Sequence, residues 1–496
     1  MLFNSYEFLF LFLPITLIGF FWLSRSSITY ASAWLALASV LFYGFWNTAY
    51  VGLLLASIGC NYVLGLWINK AAARHKTRKA KHLLWFSIAA NLLLLGYYKY
   101  ANFFLDNLGL LGETPLSASE IILPLGISFF TFTQVAFLVD TYQGKVKEYD
   151  FVHYVLFVTF FPHLIAGPVL HHKDMMPQFA RPTTYQIKWN NIASGLLLLI
   201  LGLCKKTLWA DSLAPFATGI FDGVEQAAAA GILPTSYEAW AGALAYTLQI
   251  YFDFSGYTDM ALGIALMFNI QLPTNFNSPY QATSIIEFWR RWHITLSTFL
   301  RDYLYIPLGG NRHGLLRRHT NLLTTMLLGG LWHGAGWTFV AWGGMHGAYL
   351  VLNHLWQSAI AGTRMSHWLA GRFGKVIGGT LTFIAVTAAW VVFRANNLTQ
   401  AGILLKAMFG IAAEPTSFTA VTHGHLLEIT DMSDGDLSLL IGLGLLWVFL
   451  LPNSGRLHHV NRGPTLTLLQ TIIVGGLFYL VIDRFGSYSP FLYFQF

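Results

Sequence analysis

Apolar runs long enough to cross a bilayer recur along this chain and restrict its fold more than any other feature. About 20 helical residues traverse the ~30 Å hydrocarbon layer. Runs of that order occupy 8–23, 29–45, 49–68, 83–98, 121–139, 152–168, 191–209, 239–270, 321–352, 376–393, 437–452 and 466–483. Only 10% of the 496 residues are charged and 55% are hydrophobic, far from the make-up of a soluble domain. The expected fold class is all-α: a polytopic integral membrane protein of about 11 to 13 membrane segments, re-entrant and interfacial helices included.

The first segment, "MLFNSYEFLFLFLPITLIGFFWLSR", carries its first basic residue, Arg25, only after the apolar run and lacks a small-residue cleavage site. It reads as a retained helix, not a signal peptide. Cys60 and Cys204 both fall in apolar segments without metal-ligand spacing, so packing is their expected role and no metal site is expected. The formal charge of +7 does not signal nucleic acid, because the basic residues gather between the apolar runs as positive-inside bias requires. "KAAARHKTRKAKH" (70–82) and "RHGLLRRH" (312–319) are the densest clusters, which places both in the cytoplasm, the N-terminus outside and Arg25 inside. No linker, low-complexity tail or internal repeat divides the chain, and one integrated membrane domain over 1–496 is expected. The polar stretches 105–120 and 410–436 read as solvated loops, the first of them outside.

Between 273 and 320 the pattern changes. Apolar residues at 285, 288, 289, 292, 296, 299 and 300 follow helical spacing among Glu287, Arg290, Arg291, Arg301 and Asp302, which suggests a helix at the membrane surface or partly sunk into the protein. Glu287 and Arg291, four apart, suit a helix-stabilising contact.

Three clusters carry candidate chemistry. In "YFDFSGYTDMALG" (251–263), Asp253 and Asp259 stand in an apolar background, where a carboxylate needs a watery cavity or a partner. Ser255, Gly256 and Thr258 suggest a helix break that Asp253 caps. His293 in "RRWHITLS" has arginine neighbours that favour the neutral ring. In "LLGGLWHGAGWTFVAWGGMHGAYL" (327–350), seven glycines surround His333 and His346, a density that suits the wall of a tunnel. A histidine buried there without a counter-charge is disfavoured as imidazolium and so keeps the lone pair a general base needs. His346 reads as a hydrogen-bonded packing residue. A hydroxyl acceptor and an activated acyl group would suit such a base, and no G-x-S-x-G elbow or P-loop points elsewhere.

Together with "FWRRWHITLSTFLRDYLYIPLGGNR", "LPLGISFFTFTQVAFLVDTY" and "FPHLIAGPVLHHKDMMPQF", these stretches resemble the bacterial polysaccharide O-acetyltransferase branch of the membrane-bound O-acyltransferase (MBOAT) family over nearly the whole chain. The resemblance implies that the family's invariant histidine is His333 and its second polar position His293, forty residues earlier. It also implies two funnels meeting at a thin floor, acetyl-CoA as donor from the cytoplasm, an outer acceptor and a separate periplasmic SGNH-type partner within a polysaccharide biosynthesis complex.

On this reading the chain is an inner-membrane enzyme that exports acetyl groups for O-acetylation of an exopolysaccharide, with alginate or cellulose as leading candidates. His333 is the base, His293 orients the donor or assists proton transfer, and Asp253 polarises or positions the histidines. Arg290, Arg291, Arg301 and Arg312 are candidates for the coenzyme A phosphates. An enzyme of the same fold acylating a peptidoglycan, teichoic acid, lipid or protein acceptor is the alternative within the family, and a transporter of the same topology would pass its cargo without chemistry, which the paired histidines argue against. If positive-inside bias governs orientation, cysteines introduced at Thr77 and Leu315 in a cysteine-free background resist an impermeant thiol reagent on intact cells. Rapid labelling of both would reverse the topology.

Overall fold

The structure, a computed structural model, describes residues 1–109, 121–146, 149–165, 167–229, 233–411, 434–455, 468–485 and 491–492. All regular elements among them are helical, as hydrocarbon requires of open chain, because a helix satisfies its backbone groups within itself. Most of the 105–120 and 410–436 stretches lies outside the described residues. The chain divides into two compact units, one of Met1–Leu203, Tyr257–Thr274 and Ser454–Phe494, the other of Cys204–Gly256, Asn275–Asn453 and Gln495–Phe496.

The first unit holds α1 (Leu13–Leu23), which continues a π-helical segment over Glu7–Phe12, then α2 (Ile28–Gly44), α3 (Ala49–Ala73), α4 (Thr77–Leu95), α5 (Ala101–Gly109), α6 (Ile127–Tyr142), α7 (Phe151–Thr159), α8 (Phe161–Leu164), α9 (His172–Phe179) and most of α10 (Trp189–Cys204). Large apolar side chains such as Phe10, Ile18, Trp22 and Leu93 are mostly exposed, which suits lipid and not water. Polar side chains turn inward instead. Asn61 on α3 and Asn91 on α4 exchange amide hydrogen bonds at 3.2 and 2.7 Å. Gln134 on α6 donates to Ser57 at 3.0 Å and accepts from Tyr154 of α7 at 3.3 Å. Such interhelical bonds average about 0.6 kcal/mol each in a membrane. The apolar stretch 152–168 does not form one span: α7 has nine residues, ~14 Å. Pro162 cannot extend the ladder, and the Phe161 N–H donates to Ser39 Oγ at 3.2 Å.

The second unit contains α11 (Asp211–Ala229), the first two-thirds of α12 (Ser236–Met267), α13 (Ile285–Trp289), α14 (Ile294–Leu300), α15 (Gly314–His333), α16 (Trp337–Ile360), α17 (Arg364–Ala370), α18 (Arg372–Arg394), α19 (Leu398–Met408) and α20 (Asp434–Leu450); α21 (Leu468–Asp483) returns to the first unit. Among the described residues, three helical stretches are long and apolar enough to cross a membrane, Ala49–Ala73, Trp189–Ala229 and Arg372–Arg394, and Glu7–Leu23, Ile28–Gly44, Gly435–Leu450 and Ile472–Asp483 are shorter apolar helices.

Two apolar segments differ from expectation in ways that matter to the site. The stretch 321–352 is a hairpin, with only 334–336 joining α15 to α16. Its glycines serve helix contact more than a tunnel wall: a Cβ on Gly330 would collide with the Phe339 carbonyl, and one on Gly343 with the Met326 carbonyl. Conversely, α12 runs unbroken for 32 residues through Asp253, Ser255, Gly256 and Thr258. Asp253 therefore caps no helix restart.

It pairs instead with a lysine. Lys206 lies in a π-helical segment, Lys205–Ala210, between α10 and α11. Its Nζ is 2.8 Å from Asp253 Oδ1 and 2.7 Å from Asp211 Oδ1, with both the lysine and Asp253 buried. Helix propensities of a few tenths of a kcal/mol at Ser255 and Thr258 cannot compete with exposing a backbone N–H in an apolar interior. Removing one member of a buried pair costs about 3–5 kcal/mol, because the other charge is left without compensation. Lys206→Met is expected to lower the unfolding temperature in detergent sharply and Asp253→Asn to lower it less; an unchanged midpoint for Lys206→Met would show that the triad contributes no stability.

Candidate active site

His333 is the last residue of α15, and the chain turns at Gly334 into an extended conformation. A Cβ at Gly334 would enter the Phe339 ring, so any other residue there has to displace that ring. The imidazole is 5% exposed. Trp332, Trp342 and Phe393 enclose it edge-on, with ring centroids at 5.0, 5.1 and 5.4 Å, and the His293 ring lies 6.3 Å away. The two histidines thus lie side by side, with Trp332 of α15 against both rings.

His293 adopts φ 42°, ψ 52°, in the left-handed region, directly before α14. A bulky residue rarely occupies this region, and the conformation splits what the spacing suggested was one helix into α13 and α14. Of the expected apolar face, 285, 288, 292, 296, 299 and 300 are nonetheless buried in protein, and Trp289 is half-buried. Asn275 holds the strained turn: its backbone carbonyl accepts from Ile294 N at 3.0 Å, and its Oδ1 accepts from Thr295 N at 3.2 Å and Thr295 Oγ1 at 2.9 Å. One residue distant in sequence thereby serves the first two amides of α14, through its backbone carbonyl and its side chain. The same Oδ1 lies 3.2 Å from His293 Nδ1. The Thr295 N–H identifies this amide atom as the oxygen, which can only accept, so Nδ1 carries the proton and Nε2 of the neutral ring bears the lone pair.

α12 meets His293 through Phe254, edge-on at 4.8 Å, while the neighbouring Asp253 is held by Lys206. Asp259 accepts from Ser454 Oγ at 2.6 Å, a structural contact.

A cavity of about 620 Å³ is walled by α13, α14, α15, α16 and the π-helical segment Arg301–Tyr305. Arg290, Arg301, Arg318 and His354 line it. Arg318 Nη2 donates to His354 Nδ1 at 2.7 Å, and Arg301 also contacts Asp302 at 2.7 Å. Arg291 and Arg312 are absent from the lining. Arg291 forks onto Glu287 through Nε at 3.0 Å and Nη2 at 2.7 Å. Glu287 in turn accepts from Thr283 N and Oγ1, which makes the pair the helix-stabilising contact its spacing suggested. Trp289 also walls the cavity, and its Nε1 donates to Nδ1 of the fully buried His346 at 3.2 Å. His346 is therefore the hydrogen-bonded packing residue expected, with its proton on Nε2. Its ring lies 4.8 Å from Trp342, which in turn flanks His333.

Asn275, Lys206, Arg318, His354 and Trp289 escaped the sequence reading. Only Lys206 left a usable signal: two adjacent lysines inside the apolar run 191–209 demand partners.

The chain matches known proteins over most of its length. The model of MBOAT, the membrane-bound O-acyltransferase family, matches residues 40–393. The peptidoglycan O-acetyltransferase of Helicobacter pylori is 40% identical over 100% of this chain and 98% of its own. The probable alginate O-acetylase AlgI of Azotobacter vinelandii is 43% identical over 82% of this chain and 78% of its own. The teichoic acid D-alanyltransferase of Streptococcus thermophilus is 27% identical over 54% and 68%. An all-helical membrane protein with a buried histidine pair, matched over this extent, belongs to the membrane-bound O-acyltransferase family and is an acyltransferase.

Proposed function

We propose that this acyltransferase takes an acetyl group from acetyl-CoA on the cytoplasmic side of the bacterial inner membrane and passes it outward for O-acetylation of an exopolysaccharide. Alginate or cellulose is the polymer, and a separate periplasmic SGNH-type transferase of the biosynthetic complex completes delivery. The observation that carries the reading is the enclosure of His333 at the tip of the α15–α16 hairpin beside His293, on the same helices that wall an arginine-lined cavity. Arg290, Arg301 and Arg318 suit the donor's phosphates, since guanidinium groups match phosphate geometry.

The reaction needs a base at one atom. His333 takes the proton of the acceptor hydroxyl while the oxygen bonds to the thioester carbonyl carbon; the carbon–sulfur bond then breaks and the proton passes to the departing thiolate. The products are an acetyl ester and free coenzyme A. Trp342 Nε1 and His346 Nε2 are buried N–H donors without a hydrogen-bond partner among the described residues. Trp342, against the His333 ring, suits a carbonyl oxygen that gains negative charge in the transition state, and His346 lies one ring farther away. Asp253 acts at a distance, by fixing the part of α12 whose Phe254 supports His293.

A second reading keeps the chemistry and changes the polymer to peptidoglycan; the Helicobacter relative, aligned over the whole chain, favours it. Acetyl esters found in isolated sacculi and missing from the exopolysaccharide of the same cells would decide for it.

General-base assistance is typically worth ~10²–10⁴-fold. His333→Ala is expected to remove acetyl transfer in that range, measured as coenzyme A release by purified protein with acceptor, at near wild-type detergent stability. Near-normal turnover in a folded His333→Ala sample would overturn the base assignment. His333→Gln, closer in size and polarity, takes its place if the alanine variant does not accumulate. Acetyl-CoA is also expected to outpace palmitoyl-CoA clearly, because the aromatic enclosure leaves little room for a long chain; equal turnover would point to a lipid-acylating enzyme.

A further inference from the structure

The turn between α3 and α4 concentrates charge that the reaction does not use. Six lysines and arginines (Lys70, Arg74, Lys76, Arg78, Lys79 and Lys81) and two histidines fall within 70–82, and no Asp or Glu occurs between Glu7 and Asp106. None of the six forms an ion pair or a side-chain hydrogen bond among the described residues. The cluster is nevertheless tightly held. Three residues join the helices: His75 takes φ 55° and donates to Ala72 O, and Lys76 N donates to Ala71 O, both at 3.0 Å. This is a Schellman turn with histidine where glycine is usual. It fixes the end of α3 against the start of α4.

Two adjacent hollows of about 660 and 440 Å³ result. They share Lys76, Lys79 and Leu83; Arg78 and Phe86 complete one, Lys70, Arg74 and Trp67 the other. Trp67 and Phe86 are 55% and 64% exposed on otherwise apolar helices. A ligand for this place combines paired anionic groups with hydrocarbon. Basic pockets between the ends of membrane helices have the chemistry that holds phospholipid headgroups.

We propose that the α3–α4 turn is a binding site for an anionic phospholipid with two phosphates, of the cardiolipin type. One phosphate lies in each hollow, around the shared Lys76 and Lys79, and the acyl chains run along Trp67, Leu83 and Phe86. A soluble diphosphate shares the charge but makes no use of the aromatic flank.

Native mass spectrometry of the purified full-length protein tests this, with cardiolipin, phosphatidylglycerol, inorganic pyrophosphate and coenzyme A as separate probes. Cardiolipin is expected to bind most tightly and phosphatidylglycerol, with one phosphate, more weakly. Each removed cation lowers affinity for an anionic lipid roughly fivefold, so Lys76→Gln with Lys79→Gln is expected to weaken cardiolipin about 25–30-fold. Arg372→Gln with Lys375→Gln, at exposed cations elsewhere, is expected to leave cardiolipin binding unchanged. Unaltered cardiolipin binding by the Lys76/Lys79 variant, or an equal loss in the control variant, would overturn the site. Pyrophosphate or coenzyme A binding there as tightly as cardiolipin would overturn the lipid assignment in favour of a soluble anion.

Discussion

A polar group buried among apolar helices has only other protein groups to bind it, and leaving it without a partner costs several kcal/mol. Much of the organisation inside each unit follows from this. Asn61 and Asn91 satisfy each other's amides, and Lys206 draws Asp211 and Asp253 to one point. The Asn275 carboxamide serves His293, the Thr295 hydroxyl and an amide of α14 at once. These contacts are few beside the apolar packing, but they have direction. Apolar packing alone tolerates rotation of a helix about its axis; a lysine held at 2.7 and 2.8 Å by two carboxylates does not.

The same requirement explains which parts of the molecule were legible from sequence. Apolar segments are local facts, and they announced an all-helical membrane fold. His333 was legible because a titratable ring among glycines and tryptophans has no ordinary reason to be there. Asp253 was correctly seen to need a partner, but the partner, Lys206, lies 47 residues earlier (253 − 206) and could not be read from local spacing. Asn275 looks like any loop asparagine until the chain folds back on His293. Continuity also misled in both directions. Ser255 and Gly256 suggested a break that burial of the backbone forbids, whereas the run through 285–300 suggested a helix that the left-handed His293 interrupts.

The position of His333 at a helix end, and not mid-helix, has a physical use. A mid-helix side chain projects over the preceding turn and is crowded by residues three and four away. At the end of α15 the ring has no following helical turn of its own, and the Gly334–Gly336 link brings α16 back so that Trp342 supplies the missing wall. The hairpin depends in turn on Gly330 and Gly343, where any side chain would meet a backbone carbonyl. A larger residue at either position would push α16 away and open the enclosure.

The aromatic chain from Trp289 through His346 and Trp342 to His333 joins the cavity wall to the enclosed histidine by direct contact. Its first link has direction, because the indole N–H can only donate and so fixes the proton of His346 on Nε2. The later links are edge-to-face ring contacts, whose energies of about 0.5–1.5 kcal/mol depend on ring orientation. Movement of Trp289 by any occupant of the cavity would therefore alter the His346 hydrogen bond and the seat of Trp342 together. His333 and the arginine-lined cavity are in this sense parts of one packed element, and a change at the cavity wall reaches the His333 ring through geometry even where it removes no group that touches it.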